Sequence, residues 1–244
     1  MKRVLVINCS APHYNLGAHK LADWLVEQGY GVTSYEGDPG RWGLDADLVC
    51  LSVIFSWHAP LACQIALRLK EQAEVWAGGP GLFALAHWWQ QQTGLAVVKG
   101  LDARFERQRG RYKMTFASRG CPVNCSFCIV PRLEGLTFAL DPEFIPAPVL
   151  CDNNLSALPV VYQRHIIARY QAFHQPLLDA NSGFEPRSFE RETYQRWKPI
   201  LRGPWRFALD ELRELADVER MMAVLKEVSP RRKRVYCCLL YTSD

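Results

Sequence analysis

Residues 4–7 (VLVI) form an unbroken apolar run, which suits a strand buried on both faces of a parallel sheet. Residues 18–28 then place Ala18, Leu21, Ala22 and Leu25 on one helical face, and Gly29 follows at a position suited to ending that helix. Residues 32–35 predict a short second strand, 47–55 a third and buried one, and 60–70 a helix with an apolar stripe. A further strand at 74–77 ends in Gly78, Gly79, Pro80 and Gly81. This alternation predicts an α/β domain over residues 1–100, built on a doubly wound, Rossmann-like parallel sheet. Ligands of such a sheet sit beyond the carboxyl ends of its strands, which singles out the loops at 8–17, 56–60 and 78–81.

The pattern turns polar and basic over residues 99–111 (KGLDARFERQRGR), and 101–111 is read as a linker. Beyond it, strands are predicted at 112–117, 149–150, 176–180 and 205–209, and helices at 160–173 and 212–228. Residues 112–244 therefore predict part of a TIM-like β/α barrel. A closed barrel needs roughly eight strands and about 250 residues. The apolar segment at 235–241 opens a fifth strand at most, so the barrel is expected to be truncated near it. The closing CCLLYTSD at 237–244 predicts neither helix nor capped end and is suspected to be a cloning or sequencing artefact.

Composition adds little about partners. Lysines and arginines number 29 against 25 acidic residues, too small an excess to indicate nucleic acid. No apolar run of about 18 residues predicts a membrane span, and the opening MKRVLVINCSAPHY lacks the pattern of a secretory signal. A cytoplasmic, reducing location is the expectation. Nine cysteines, an odd number, with three crowded into residues 121–128, point to metal or cofactor ligation over disulfides.

Those three, Cys121, Cys125 and Cys128, follow the predicted strand at 112–117 directly. Thiolates are the usual ligands of iron-sulfur clusters, and three of them leave one iron of a four-iron cluster open to substrate or cofactor. A structural zinc site completed by Cys151 or His165 is the competing reading. The spacing Cys-x3-Cys-x2-Cys, with Phe127 before the last cysteine, resembles the signature of the radical S-adenosylmethionine (SAM) superfamily. The resemblance implies that Cys121, Cys125 and Cys128 hold a 4Fe-4S cluster, that SAM chelates its open iron, and that reductive cleavage of SAM yields a 5′-deoxyadenosyl radical that modifies a substrate. It also implies a reductant such as flavodoxin or ferredoxin.

Where many superfamily members carry a Gly-Gly-Glu-Pro-like segment, this chain has Cys151, Asp152, Asn153 and Asn154. That version is similar to the Asp-rich one in members with an N-terminal cobalamin-binding-like domain, and it implies SAM contacts for Asp152 and Asn153, with Phe127 beside them. An Asx-rich turn closing a strand explains the same residues without a ligand. The stretch from Asp179 to Arg187 resembles a third-strand segment that approaches SAM, which brings in Glu185 and Arg187, or else a surface salt bridge. Asp210 is a lesser candidate.

Residues 1–100 resemble the cobalamin-binding-like domain itself, which makes cobalamin an optional third cofactor and methyl transfer one reaction subclass. The Asp-x-His-x-x-Gly signature of His-ligated cobalamin is absent: Ala11, Pro12, His13 and Tyr14 stand there instead. His13 and His58 sit in predicted strand-end loops as candidate ligands or proton relays, or as ordinary surface imidazoles. Trp57, Trp88 and Trp89 are a candidate wall for a flat cofactor, with core filling as the plainer explanation. Two further functions compete. One is a tRNA methylthiotransferase, disfavoured because Cys9, Cys50 and Cys63 do not form a second cluster motif. The other is a non-catalytic zinc- or nucleic-acid-binding module using Arg104, Arg107, Arg109, Arg111 and Lys113.

Overall fold

Neighbouring residues of the first strand face two different cores. In β1 (Arg3–Asn8), Val4 and Val6 pack into one cluster with Ala18, Leu25, Leu48 and Cys50, whereas Leu5 and Ile7 pack into another with Val49, Leu51, Ile65 and Leu69. A run of consecutive apolar residues is what a strand covered on both sides requires. The computed structural model describes residues 1–40, 45–98 and 101–237. The predicted end of the first domain at residue 100 and the closing residues 238–244 lie outside the described residues.

The chain continues through α1 (Leu16–Glu27), β2 (Gly31–Glu36), β3 (Leu48–Ser52), α2 (Ala59–Leu69), β4 (Glu74–Gly78), α3 (Pro80–Ala84), α4 (Ala86–Thr93), β5 (Val97–Val98) and α5 (Ala103–Glu106). The five strands form one parallel sheet in the order β2-β1-β3-β4-β5. Asn15 starts α1 by accepting the Ala18 amide at 3.1 Å, and Gly29, at φ 82°, ends it, with its amide on Val26 and the next amide on Leu25. The strand order reverses between β1 and β3, which makes the crevice beyond their carboxyl ends the expected ligand position.

The second half runs β6 (Met114–Thr115), β7 (Ser118–Arg119), α6 (Val130–Leu133), β8 (Ala139–Leu140), β9 (Val149–Leu150), α7 (Val160–Ala172), β10 (Asp179–Ala180), α8 (Arg191–Trp197), β11 (Trp205–Leu209), α9 (Leu215–Val224) and β12 (Lys233–Cys237). Strands β10, β9 and β6 pair in parallel, as do β11 and β12, and β7 pairs antiparallel with β8. The parallel strands and their helices form a partial β/α barrel, and β12 is the expected fifth parallel strand. Its core holds Leu150, Ile166, Tyr170, Phe184, Trp197 and Trp205.

Three strands are shorter than predicted: β3 ends at Ser52 and not at residue 55, and two strands of the second half are cut further. β6 stops at Thr115 because the Ala117 amide is taken by the Asp152 side chain and not by a neighbouring strand. β10 starts at Asp179 because Pro176 has no amide to donate and Leu177 makes only an isolated bridge to Leu201. Two compact units emerge: Met1–Gly110 with Cys125–Glu134, and Arg111–Asn124 with Gly135–Asp244. Among the described residues, no helix is long and apolar enough to cross a membrane.

Candidate functional site

In the first unit, polar side chains fix the loops leaving β1 and β3. The Asn15 amide group donates to Asn8 Oδ1 and to Ser52 Oγ, each at 3.0 Å, while Asn8 donates to the His13 carbonyl at 2.8 Å. Ser10 Oγ accepts the Ile54 amide at 2.9 Å, tying the two loops together. On this frame sit His13, Phe55, Trp57 and His58. Phe55 stacks on Trp57, and His13 meets Phe55 edge-on with centroids 4.9 Å apart. Trp57 is 67% exposed, whereas the Nδ1 atom of His58 is buried with no hydrogen-bond partner among the described residues. Gly79 (φ 102°) and Gly81 allow the next loop to lie against this one: a Cβ at either would stand 2.3 Å from Val53 O or 2.6 Å from Phe55 C.

The structure separates the three tryptophans. Trp89 is fully buried and Trp88 packs against the same core, so both fill it, while Trp57 alone of the three stands out to solvent. Sequence reasoning missed Phe55 because it read the residue as the end of the strand at 47–55, whereas β3 stops at Ser52 and leaves Phe55 in the loop. Arg104 is held by Asp102 at 2.9 and 3.0 Å and lies over Trp24 and Trp76, so this member of the basic run is engaged in packing.

The cysteine loop starts in the second unit. There, β7 and β8 close its base through Ser118 against Leu140 and Arg119 against Ala139. Gly120, at φ 83°, follows, and a Cβ there would lie 2.2 Å from the Thr137 carbonyl oxygen. The Cys121 amide donates to Gly135 O at 3.2 Å. Cys125 and Cys128 belong to the first unit, where the Cys128 amide donates to Cys125 O at 3.0 Å and the Val130 amide to Cys128 Sγ at 3.4 Å. All three are half-buried, and Phe127 is 41% exposed. Among the described residues, no group of three or more His, Cys, Asp or Glu side chains is arranged around a metal position.

Asp152 is completely buried and accepts from the Ala117 amide at 2.7 Å and the Ser118 hydroxyl at 2.5 Å. Burial pushes its carboxyl up to about 6, against the pull of those two donors and of Arg119. Asn153 is half-buried and donates to Gly120 O at 3.3 Å. Glu185 and Arg187 form the ion pair, Nε to Oε1 at 2.7 Å, with Arg187 exposed and Asn154 donating to Glu185 at 3.5 Å. Glu214 approaches Arg187 to 4.0 Å and accepts the Asp210 amide at 3.0 Å, so the loops after β10 and β11 converge. The Asp210 carboxyl is pushed up by burial and by Glu214, Glu185 and Glu211.

No protein-family model matches the sequence, and no curated protein matches it either. Solved structures do. The radical SAM methyltransferase TsrM from Kitasatospora setae, determined with cobalamin and a 4Fe-4S cluster bound, superposes over 97% of this chain and 69% of its own, with a TM-score of 0.64 and 14% identity. The chain shares its fold with that enzyme. The cobalamin-dependent SAM radical enzyme OxsB, with aqua-cobalamin and SAM bound, matches over 97% of this chain and 49% of its own, with a TM-score of 0.56 and 13% identity. The likeness of fold to these two enzymes covers residues of both units.

Proposed function

We propose that this protein is a radical SAM enzyme in which Cys121, Cys125 and Cys128 hold a 4Fe-4S cluster. The observation that carries the reading is a Cys-x3-Cys-x2-Cys loop that follows β6, the first strand of the partial barrel, and the short β7, in a chain that shares its fold with two such enzymes. The donor chemistry fits. These thiols are half-buried and lie outside any disulfide, whereas Cys9, Cys50 and Cys151 are buried and their thiols are pushed up to about 12, unsuited to ligation. The Val130 amide on Cys128 Sγ is the kind of donor that tunes a cluster sulfur. When bound, the cluster and SAM supply the radical that starts the reaction. The electron comes from a low-potential reductant of flavodoxin or ferredoxin type.

Toward SAM, the side chains on offer are Phe127 from the cysteine loop and Asn153, Glu185 and Arg187 from the strand ends of the barrel. Arg187, exposed and paired with Glu185, is suited to orient a carboxylate, and Glu185 to accept from an ammonium group. Toward cobalamin, Phe55, Trp57 and His13 offer an exposed aromatic face at the β1/β3 crevice, with the buried His58 Nδ1, which has no partner among the described residues, beside them. With both cofactors, methyl transfer to an unidentified substrate is the subclass proposed.

The deciding experiment is anaerobic reconstitution with iron and sulfide, followed by electron paramagnetic resonance of the dithionite-reduced protein before and after SAM. The expected result is a reduced four-iron signal that changes with SAM and is lost in Cys125→Ala. Colourless protein that binds one zinc tightly instead would overturn the reading in favour of a structural metal site.

A further inference from the structure

Asp152 stands at the end of β9, yet what it holds belongs to the segment after β6. Its two carboxylate oxygens take donors from consecutive residues, the amide of Ala117 and the hydroxyl of Ser118, and all three residues are buried. From α7, the Tyr162 hydroxyl donates to the Ala117 carbonyl at 2.5 Å. A side chain therefore takes the Ala117 amide where a strand ladder would normally do so, while its carbonyl is shared between the Tyr162 hydroxyl and the Asp141 amide at 2.8 Å. Asn153, the next residue, holds the Gly120 carbonyl, and Cys121 follows at once.

We propose that Asp152 is a positioning residue for the cysteine loop, fixing Ala117 and Ser118 and thereby the direction in which the chain delivers Cys121. This rests on the proposed cluster-binding reading for its functional meaning. The carboxylate is fully buried and both its oxygens are engaged inside the protein, so its role is to anchor the loop and not to touch SAM. Asn153 extends the same anchor by one contact. A buried carboxylate holding two donors at once is shorter and stiffer than a neutral pair, which suits a fixed root for a ligand loop.

Hydrogen exchange on the cluster-free protein tests the anchor without any cofactor. In Asp152→Ala the amides of residues 117–121 exchange about tenfold faster or more, as expected for losing a charge-assisted bond, while those in the middle of α7 keep their protection. Asp152→Asn keeps an oxygen for the Ala117 amide and presents an NH2 group to the Ser118 hydroxyl, and it restores slow exchange. Ser118→Ala, which removes one of the two donors, gives an intermediate result and serves if Asp152→Ala does not fold. In anaerobically reconstituted protein, Asp152→Ala shifts the midpoint potential and g-values of the cluster but keeps the spectral response to SAM.

Exchange at 117–121 that matches wild type in both Asp152→Ala and Ser118→Ala overturns the anchor. So does a variant with a wild-type cluster that has lost only its response to SAM, because that places Asp152 on SAM itself. If wild type forms no cluster while Asp152→Ala still loosens residues 117–121, the anchor stands and the cluster reading fails.

Discussion

The rings of Phe55 and Trp57 are nearly parallel, 7° apart with centroids 4.5 Å from each other, at the mouth of the β1/β3 crevice. Two-thirds of Trp57 is left to solvent, an unusual cost for the largest apolar side chain unless a flat partner covers it. On the cobalamin reading, hydroxocobalamin quenches tryptophan emission saturably. Trp57→Ala removes most of that quenching and weakens binding about tenfold, the loss expected for one aromatic contact. The thermal midpoint stays within about 1 °C, since an exposed side chain contributes little to the core. Equal affinity in wild type and Trp57→Ala would place any cobalamin elsewhere.

The sheet of the first unit was legible because its strands are covered on both faces and read as plain apolar runs, and because Gly29 marks a helix end through its left-handed backbone. The second unit was less so. There the strands shrink to two residues where Asp152 and Pro176 withdraw amides from the ladder, and side-chain competition of that kind leaves no periodic trace. The cysteine spacing carries the proposed cluster chemistry by resemblance alone. By contrast, the partnership of Asp152 with Ala117, 35 residues away, depends on strand adjacency that only the fold supplies.

Asp179 and Arg206 form a forked ion pair, with Nε and Nη2 each 2.6 Å from a carboxylate oxygen, and their side chains are only 24% and 15% exposed. It ties β10 to β11 beside Gly183, where a Cβ would stand 2.3 Å from the Arg206 carbonyl oxygen. Breaking it from one side strands a partly desolvated charge. Asp179→Asn or Arg206→Met should cost about 2 kcal/mol, roughly 4–8 °C in thermal midpoint. The double variant should lose clearly less than the two single losses added, which a thermal-melt cycle reads directly.

The thiols divide into two populations. Among the described residues, Cys121, Cys125 and Cys128 are half-buried and Cys237 is exposed, whereas burial holds Cys9, Cys50, Cys63 and Cys151 protonated and out of reach. Iodoacetamide on the native cluster-free protein should therefore label the first four and spare the four buried ones until denaturant is added. Peptide mass spectrometry after reconstitution should then show Cys121, Cys125 and Cys128 protected and Cys237 still labelled. Labelling of all four after reconstitution would remove the loop from consideration as the cluster site.

Asp152 also sets a dependence of stability on pH. Its carboxyl, ordinarily near 3.8, is pushed up to about 6 by burial, so the folded protein holds this proton across a range where the unfolded chain has released it. The stabilising effect is complete below about pH 4 and is lost as pH rises through about 6, amounting to about 3 kcal/mol at most. Of the groups that face it, Cys151, Tyr162 and Tyr170 are pushed to higher values by burial and stay protonated in this window, and the Arg119 guanidinium pulls the carboxyl down against the effect of burial. Asp152→Asn keeps the shape but cannot ionise. Melting both proteins from pH 4 to pH 7.5 should show wild type losing ground to the variant steadily as pH rises. A constant gap would mean that the buried carboxyl titrates as an ordinary one and that its two donors offset the whole cost of burying its charge.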